Sequence, residues 1–433
     1  MTIVLTACLV AGFIFILIGR TAASTGDFYG GRYPATVMAV ALVATYTGGG
    51  ALFGISGLTR QYGYWAILDC VASVAGLMVT SVFIMRGTFG KTYARDFFNP
   101  ESRLSNPKFL ATHHISITVL FILVIAAQLK AADQLAVQIG IPGWIGVVAC
   151  SVFVAAYASN GFAATTRTDV WQVVSMVPLY VILAAASLGE LQLPQQAVPS
   201  QSGPEIMPWP LAVILLTPLL YIPLSQELTQ RTSSAGSDRD AIRCNLIAAG
   251  LIAILGGTLV ASFANNPSIS LKSLLTAPGF VVPVLVAIGI MSALLSTIDT
   301  AANLASKSFG MLPVFRKASP TQRAWLAIAI GAALYSFFPT VLSLIYVAIF
   351  IYLSGPAMGF LAIRLGLLPS TAAFICGVFI FAQFSLATDT ALARWMINTA
   401  FEKPIDSSVL GLGIAILELL TVLLLWAVQR TRN

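Results

Sequence analysis

Residues 291–309 carry a polar stripe inside a long apolar segment. At helical spacing one face holds Ser292, Ser296, Asp299, Thr300 and Asn303, with Thr297 on its flank. A charged carboxylate in a membrane helix costs at least about 2.5–3.5 kcal/mol, so Asp299 needs a polar partner. The nearest basic residue along the sequence is Lys307. Because hard oxygen ligands suit an alkali ion, the stripe predicts a cation site, whereas each hydroxyl taken alone also fits a hydrogen bond to its own helix.

Two further carboxylates lie in apolar segments. Asp169, in AAYASNGFAATTRTDVWQ, is expected near the same side of the membrane as Asp299, and the pair predicts a cation exit route. The alternative for Asp169 is the N-cap of a helix, where a carboxylate suits the helix dipole. Asp69, in QYGYWAILDCVASVAG, is expected either in a hydrated vestibule or in contact with a solute.

The composition explains why these carboxylates stand out. The 433 residues are 58% hydrophobic and 9% charged, whereas soluble domains are about 45–50% apolar and about 25% charged. Successive apolar windows of about 20 residues predict about thirteen transmembrane helices, with connections too short for a soluble domain. The sequence therefore predicts an all-α polytopic membrane protein that forms one transmembrane domain over residues 1–433.

The basic residues predict the orientation. Most of the 23 lysine and arginine residues, Arg231 among them, fall in connections on one side, which the positive-inside rule assigns to the cytoplasm. This places the N-terminus outside and the C-terminus in the cytoplasm of a cell membrane. The net charge of +7 is then a consequence of topology, and no nucleic-acid partner is expected.

Two of the apolar segments are interrupted at matching depth. ATVMAVALVATYTGGGALFGISG contains Gly48, Gly49 and Gly50, and MPWPLAVILLTPLLYIPLSQ contains Pro218 and Pro223. Close helix packing is one explanation for the glycines. Unwinding around a central binding site is the other, since it frees carbonyl groups that can coordinate a cation.

The odd number of segments between the two interruptions predicts an inverted repeat. We expect a five-plus-five arrangement in which the first unit covers residues 35–187 and the second covers 208–361. One additional helix, residues 3–19, precedes the repeat, and two accessory helices follow it within residues 370–428. The segment that contains Glu418 lies outside the repeat. Two explanations are open for this residue, an oligomer contact and a position at the lipid interface.

Four strings between about Asp27 and Gly366 resemble the sodium:solute symporter family, in order and at similar spacing. They are Phe28-Tyr29-Gly30-Gly31-Arg32, Asn160-Gly161-Phe162 with Thr168-Asp169-Val170-Trp171-Gln172, Ala293-Leu294-Leu295-Ser296-Thr297 with Asp299-Thr300, and Ser354-Gly355-Pro356. The resemblance implies a LeuT-type fold with a five-plus-five inverted repeat and sodium as the coupling ion.

The resemblance also implies two cation sites. The first sodium site would use the carbonyl groups of Ala44, Thr47 and Ala293 and the hydroxyl groups of Ser296 and Thr297. Some members bind a second sodium, and the matching positions for that cation site or exit route are Asp169, Ser296, Asp299 and Thr300.

The sequence does not identify the solute. The candidate contacts beside the interruption are Tyr46, Gly49, Gly50, Asp69 and Tyr221. Tyr46 stands where the family's proline transporter has an aspartate, and Asn160 replaces one of two paired glycines. The span HHISITVLFILVIAAQLK lacks the arginine that binds a carboxylate in the sialic-acid members. Asp69 in the cavity favours an amine or a polyhydroxyl ligand over an anion.

The sequence thus predicts a sodium-coupled symporter that imports a small polar solute by alternating access. The spans show no metal cluster or nucleophile–base pair, so an enzyme is not expected. Two alternatives are a symporter-like sensor that acts with a separate signalling partner, and a symporter coupled to protons through Asp169 and Asp299. The number of sodium ions and the oligomeric state are left open.

Overall fold

A computed structural model describes eight stretches of the chain, residues 2–21, 32–86, 107–158, 161–190, 208–266, 269–337, 341–387 and 407–432. These stretches are almost entirely helical, with one isolated bridge between Tyr33 and Ala235. Two family-like strings fall partly outside them, because Phe28 to Gly31 and Asn160 are not among the described residues.

The α-helices of the described residues are numbered in chain order. They are α1 (Thr2–Thr21), α2 (Ala35–Tyr46), α3 (Gly49–Tyr62), α4 (Ile67–Arg86), α5 (Pro107–Gln138), α6 (Gly143–Ala158), α7 (Phe162–Ser187), α8 (Pro208–Tyr221), α9 (Gln226–Ser233), α10 (Asp238–Asn265), α11 (Leu271–Leu275), α12 (Val281–Met311), α13 (Pro320–Leu334), α14 (Val341–Tyr352), α15 (Met358–Arg364), α16 (Pro369–Ala387) and α17 (Ser407–Arg432). A π-helical segment, Leu353–Ala357, joins α14 to α15.

The length and hydropathy of these helices are those of a multi-pass membrane protein. Within the described stretches, 8 helices are long and apolar enough to cross a membrane, or 9 when the bent pair α8–α9 is one span. Three shorter apolar helices add to these, at Ala35–Tyr46, Gly143–Ala156 and Pro369–Gln383. The polytopic all-helical class is therefore confirmed, while the count of about thirteen spans, the repeat boundaries and the orientation stay predictions.

Helix α12 lies at the centre of the bundle and packs against α5, α7, α13 and α1. Most of its residues between Val286 and Phe309 are buried, including the whole polar stripe. Small side chains permit this close approach. A Cβ atom at Gly289, for example, would lie 2.7 Å from the Cβ of Leu179 on α7. The apolar face of α12 thus fixes its polar face against neighbouring helices rather than against lipid.

Both predicted interruptions are present. Helix α2 ends at Tyr46 and α3 begins at Gly49, and between them Gly48 leaves the helical region with φ −58° and ψ −177°. Helix α8 runs through Pro218 and ends at Tyr221, where the 3₁₀ turn Ile222–Leu224 introduces a bend of 44° before α9. Pro223 lies in this turn and has no backbone N–H to continue the helix.

The accessory helices α16 and α17 pack against each other and against the π-helical segment. The Gln383 amide on α16 donates to Ser354 Oγ at 3.2 Å and to the Gly411 carbonyl at 2.7 Å, which joins α16, α17 and the π-helical segment. Glu418 lies on α17 and is fully buried. Its burial within the single chain excludes both the oligomer contact and the lipid interface for this side chain.

Candidate functional site

The first candidate cation site lies where the interruption after α2 meets α12. Thr297 Oγ1 is 3.3 Å from the carbonyl oxygen of Ala293 and 3.4 Å from the carbonyl oxygen of Thr45. A Cβ atom at Gly48 would lie 1.7 Å from Thr297 Oγ1, so only glycine allows this contact between the helices. The oxygen atoms of three residues therefore converge at the break.

Only some of the residues predicted for this site face the break after α2. Thr297 and Ala293 face the break as expected, and Thr45 supplies a carbonyl group that sequence reasoning missed. Ser296 does not contact the break, because its hydroxyl donates to Asp169 Oδ1 at 2.7 Å. The Thr47 hydroxyl donates to the Val43 carbonyl of its own helix at 2.7 Å, and Ala44 is buried in α2.

The second cluster brings all four residues of the predicted second site together around an arginine. Arg231 Nη2 lies 2.8 Å from Asp169 Oδ2 and donates to Thr300 Oγ1, also at 2.8 Å. The side chains of Arg231 and Asp169 are 1% and 0% exposed, so this ion pair is completely buried. Helix α9 is thereby joined to α7 and α12.

Asp299 completes this cluster through hydroxyl groups. The hydroxyl of Thr168 donates to Asp299 Oδ2 and that of Thr300 donates to Asp299 Oδ1, both at 3.2 Å. Thr300 therefore accepts from Arg231 and donates to Asp299. Its oxygen is also 3.5 Å from Thr45 Oγ1, which connects the second cluster to the interruption after α2.

Two sequence-based interpretations of this region are wrong. The charge count assigned Arg231 to a cytoplasmic connection, yet this residue is buried on α9 and pairs with Asp169. The bend between α8 and α9 turns this residue into the bundle. The N-cap interpretation of Asp169 also fails, because α7 begins at Phe162 with Gly161 as its N-cap.

A cavity of about 210 Å³ adjoins both clusters. Of the candidate solute contacts, Tyr46, Gly50, Asp69 and Tyr221 line it. Gly49 is not among the lining residues, because its backbone packs against α12, where a Cβ atom would lie 2.2 Å from Leu294 Cδ2. The other polar or charged residues of the wall are Thr45, Ser73, Gln128, Thr217, Ser225, Glu227, Arg231, Thr297, Thr300 and Tyr346.

Two carboxylates of the cavity wall each accept a hydrogen bond from a tyrosine. The hydroxyl of Tyr46 donates to Asp69 Oδ2 at 3.1 Å and also lies 2.6 Å from Ser73 Oγ. The hydroxyl of Tyr221 donates to Glu227 Oε1. Sequence reasoning missed Glu227, and the signal that could have found it is its position four residues before Arg231, directly after the proline-broken segment.

The fold defines an all-helical membrane protein with a broken helix beside a central cavity. Residues 28–207 match the model of the Sodium:solute symporter family, which confirms the predicted resemblance over this part of the chain. No curated protein sequence matches the chain.

Two solved structures share the fold over nearly the whole chain. A Na⁺-coupled sialic acid symporter in a substrate-bound outward-open state has a TM-score of 0.62 and 16% identity, covering 98% of each chain. A nucleobase-cation-symport-1 family transporter, in a closed conformation with bromovinylhydantoin bound, has a TM-score of 0.54 and 13% identity, covering 94% of this chain and 96% of its own. At these identities the likeness shows the fold.

Proposed function

We propose that this protein is a sodium-coupled secondary symporter that imports a small solute by alternating access. The family match over residues 28–207 and the fold shared with a Na⁺-coupled symporter support this class. The proposal includes the inverted repeat of residues 35–187 and 208–361, with the N-terminus outside and the C-terminus in the cytoplasm.

The single observation that carries the proposal is the convergence of oxygen atoms at the break after α2. The carbonyl groups of Thr45 and Ala293 and the hydroxyl of Thr297 are the hard, uncharged ligands that suit an alkali ion at an unwound membrane helix. Ala44, Thr47 and Ser296 remain proposed ligands from the resemblance.

Sodium at this position explains how ion and solute binding are coupled. Thr45 and Thr297 belong to the proposed ion site and also line the solute cavity. An ion held between α2 and α12 favours the conformation in which these helices are in contact, and the same contact shapes the cavity wall. A solute that binds there next would encounter a wall already ordered by sodium.

Thr297→Ala tests the ion site, with Ser292→Ala as a matched control. The Ser292 hydroxyl lies on α12 and donates to the Ile288 carbonyl of its own helix at 2.7 Å. A hydrogen bond or ligand contact to a charged group contributes about 1.5–3 kcal/mol, so Thr297→Ala should raise the sodium concentration for half-maximal effect about 10- to 100-fold. Ser292→Ala should change it little.

The measurement is the melting temperature of the purified protein against sodium concentration, together with solute-induced currents on a solid-supported membrane. Equal sodium dependence of the Thr297→Ala and Ser292→Ala proteins would contradict the site. Currents that need external acid and ignore sodium would favour proton coupling instead.

A further inference from the structure

The cavity wall carries two carboxyl groups that have no basic partner among the described residues. Asp69 on α4 and Glu227 on α9 both line the cavity, and neither forms a salt bridge with a described residue. Among the described residues of the cavity wall, Arg231 is the one basic residue, and it is paired with Asp169. Burying carboxylates without a counter-charge is costly, so a positively charged occupant is stabilised here.

Unpartnered acceptor atoms strengthen this point. Glu227 Oε2 and Gln128 Oε1 are buried and have no hydrogen-bond partner among the described residues. Both belong to residues of the cavity wall. An ammonium group supplies the donors that these atoms lack, whereas an anionic ligand has no donor to offer them.

The rest of the wall is apolar or aromatic. Phe121, Tyr346 and several aliphatic side chains line the cavity beside the carboxylates. Aromatic faces attract cations, and aliphatic walls favour a hydrocarbon body. We infer that the transported solute is a small organic cation, an amine or quaternary ammonium compound with an apolar body, held by Asp69 and Glu227. This inference rests on the proposed function.

The test compares ligands of similar shape and different charge. Isobutylamine, isobutanol and isobutyrate, with butyltrimethylammonium as a quaternary probe, are added to the purified protein in sodium buffer, and melting temperature and solute-induced current are recorded. The two cations should stabilise the protein and at least one should give a current. Glu227→Gln and Asp69→Asn should weaken this binding about 10-fold or more, whereas Glu190→Gln, an exposed acid outside the cavity, should not.

Stabilisation by isobutanol or isobutyrate but not by the cations would overturn the inference. So would indifference to both cations in a protein that sodium does stabilise. If sodium also left the melting temperature unchanged, the result would contradict the proposed function. The failure of the inference and the failure of the proposed function are therefore distinguishable.

The position of Arg231 bears on the number of sodium ions that the chain binds. The guanidinium group of Arg231 occupies the space between Asp169 and Thr300, which are two of the four residues proposed for a second cation. The third, Ser296, already donates its hydroxyl proton to Asp169. The structure assigns the place of a second sodium to Arg231, so that the chain binds one exchangeable sodium. This assignment also rests on the proposed function.

Equilibrium dialysis with radioactive sodium tests this assignment. The unmodified protein should bind about one sodium ion per chain. Arg231→Ala vacates the space and should raise the number to about two at high sodium, whereas Arg231→Met fills the volume without charge and should leave it at about one. Two ions bound to the unmodified protein would overturn the assignment even where the variants fail to fold. No bound sodium would contradict the proposed function.

Discussion

Asp169→Asn is expected to lower the free energy of unfolding by about 3–5 kcal/mol. The carboxylate of Asp169 is the salt-bridge partner of Arg231, and both side chains are buried. An asparagine keeps the volume and one acceptor oxygen but removes the charge, so the guanidinium group loses its direct salt-bridge partner inside the bundle. Chemical denaturation of the purified protein in mixed micelles measures the change.

Two further variants separate this effect from a general loss of packing. Asp169→Asn combined with Arg231→Met removes both charges, and its stability should return most of the way to that of the unmodified protein. Asp240→Asn removes an exposed ion pair with Arg243, 3.9 Å apart, and should cost only about 0–1 kcal/mol. Additive effects of Asp169→Asn and Arg231→Met would show that the two side chains are not coupled.

Gly48→Ala is expected to weaken sodium binding strongly. The added methyl group would lie 1.7 Å from Thr297 Oγ1 and 3.1 Å from the Ala293 carbonyl oxygen, so α2 and α12 must separate where the proposed ion ligands converge. Overpacking of this kind costs about 1–3 kcal/mol. We therefore expect sodium to bind about 10- to 100-fold more weakly.

The matched control for this change is Gly57→Ala on α3, where an added Cβ atom meets no atom within 4 Å. Sodium-dependent melting temperatures and solute-induced currents of the two variants are compared at the same protein concentration. A Gly48→Ala protein with the sodium dependence of the Gly57→Ala protein would show that the contact between the break and α12 does not form the ion site.

The two helix interruptions and the buried polar stripe were predictable because they depend on residues close together in the sequence. The interruptions near Gly48 and Pro223 follow from residue types that weaken or break a helix. The burial of the polar stripe on α12 follows from helical periodicity and from the cost of exposing a carboxylate to lipid. Both kinds of inference need only neighbours within a few turns.

The partners of those residues were not predictable in the same way. Arg231 reaches Asp169 from a position 62 residues away, and Glu227 enters the cavity from the same short helix. Helical periodicity gives the face on which a residue lies but not the helix that meets it. A residue in a polar segment after a proline is assigned to a loop by hydropathy, and only the 44° bend returns it to the interior.

Thr297 contacts the Ala293 and Thr45 carbonyls of the proposed ion site and also forms part of the cavity wall. In a thermodynamic cycle, the factor by which sodium tightens solute binding must equal the factor by which the solute tightens sodium binding. A side chain that belongs to both sites contributes to both arms of that cycle. Its replacement is therefore expected to reduce the heterotropic cooperativity by one common factor, whichever ligand is titrated.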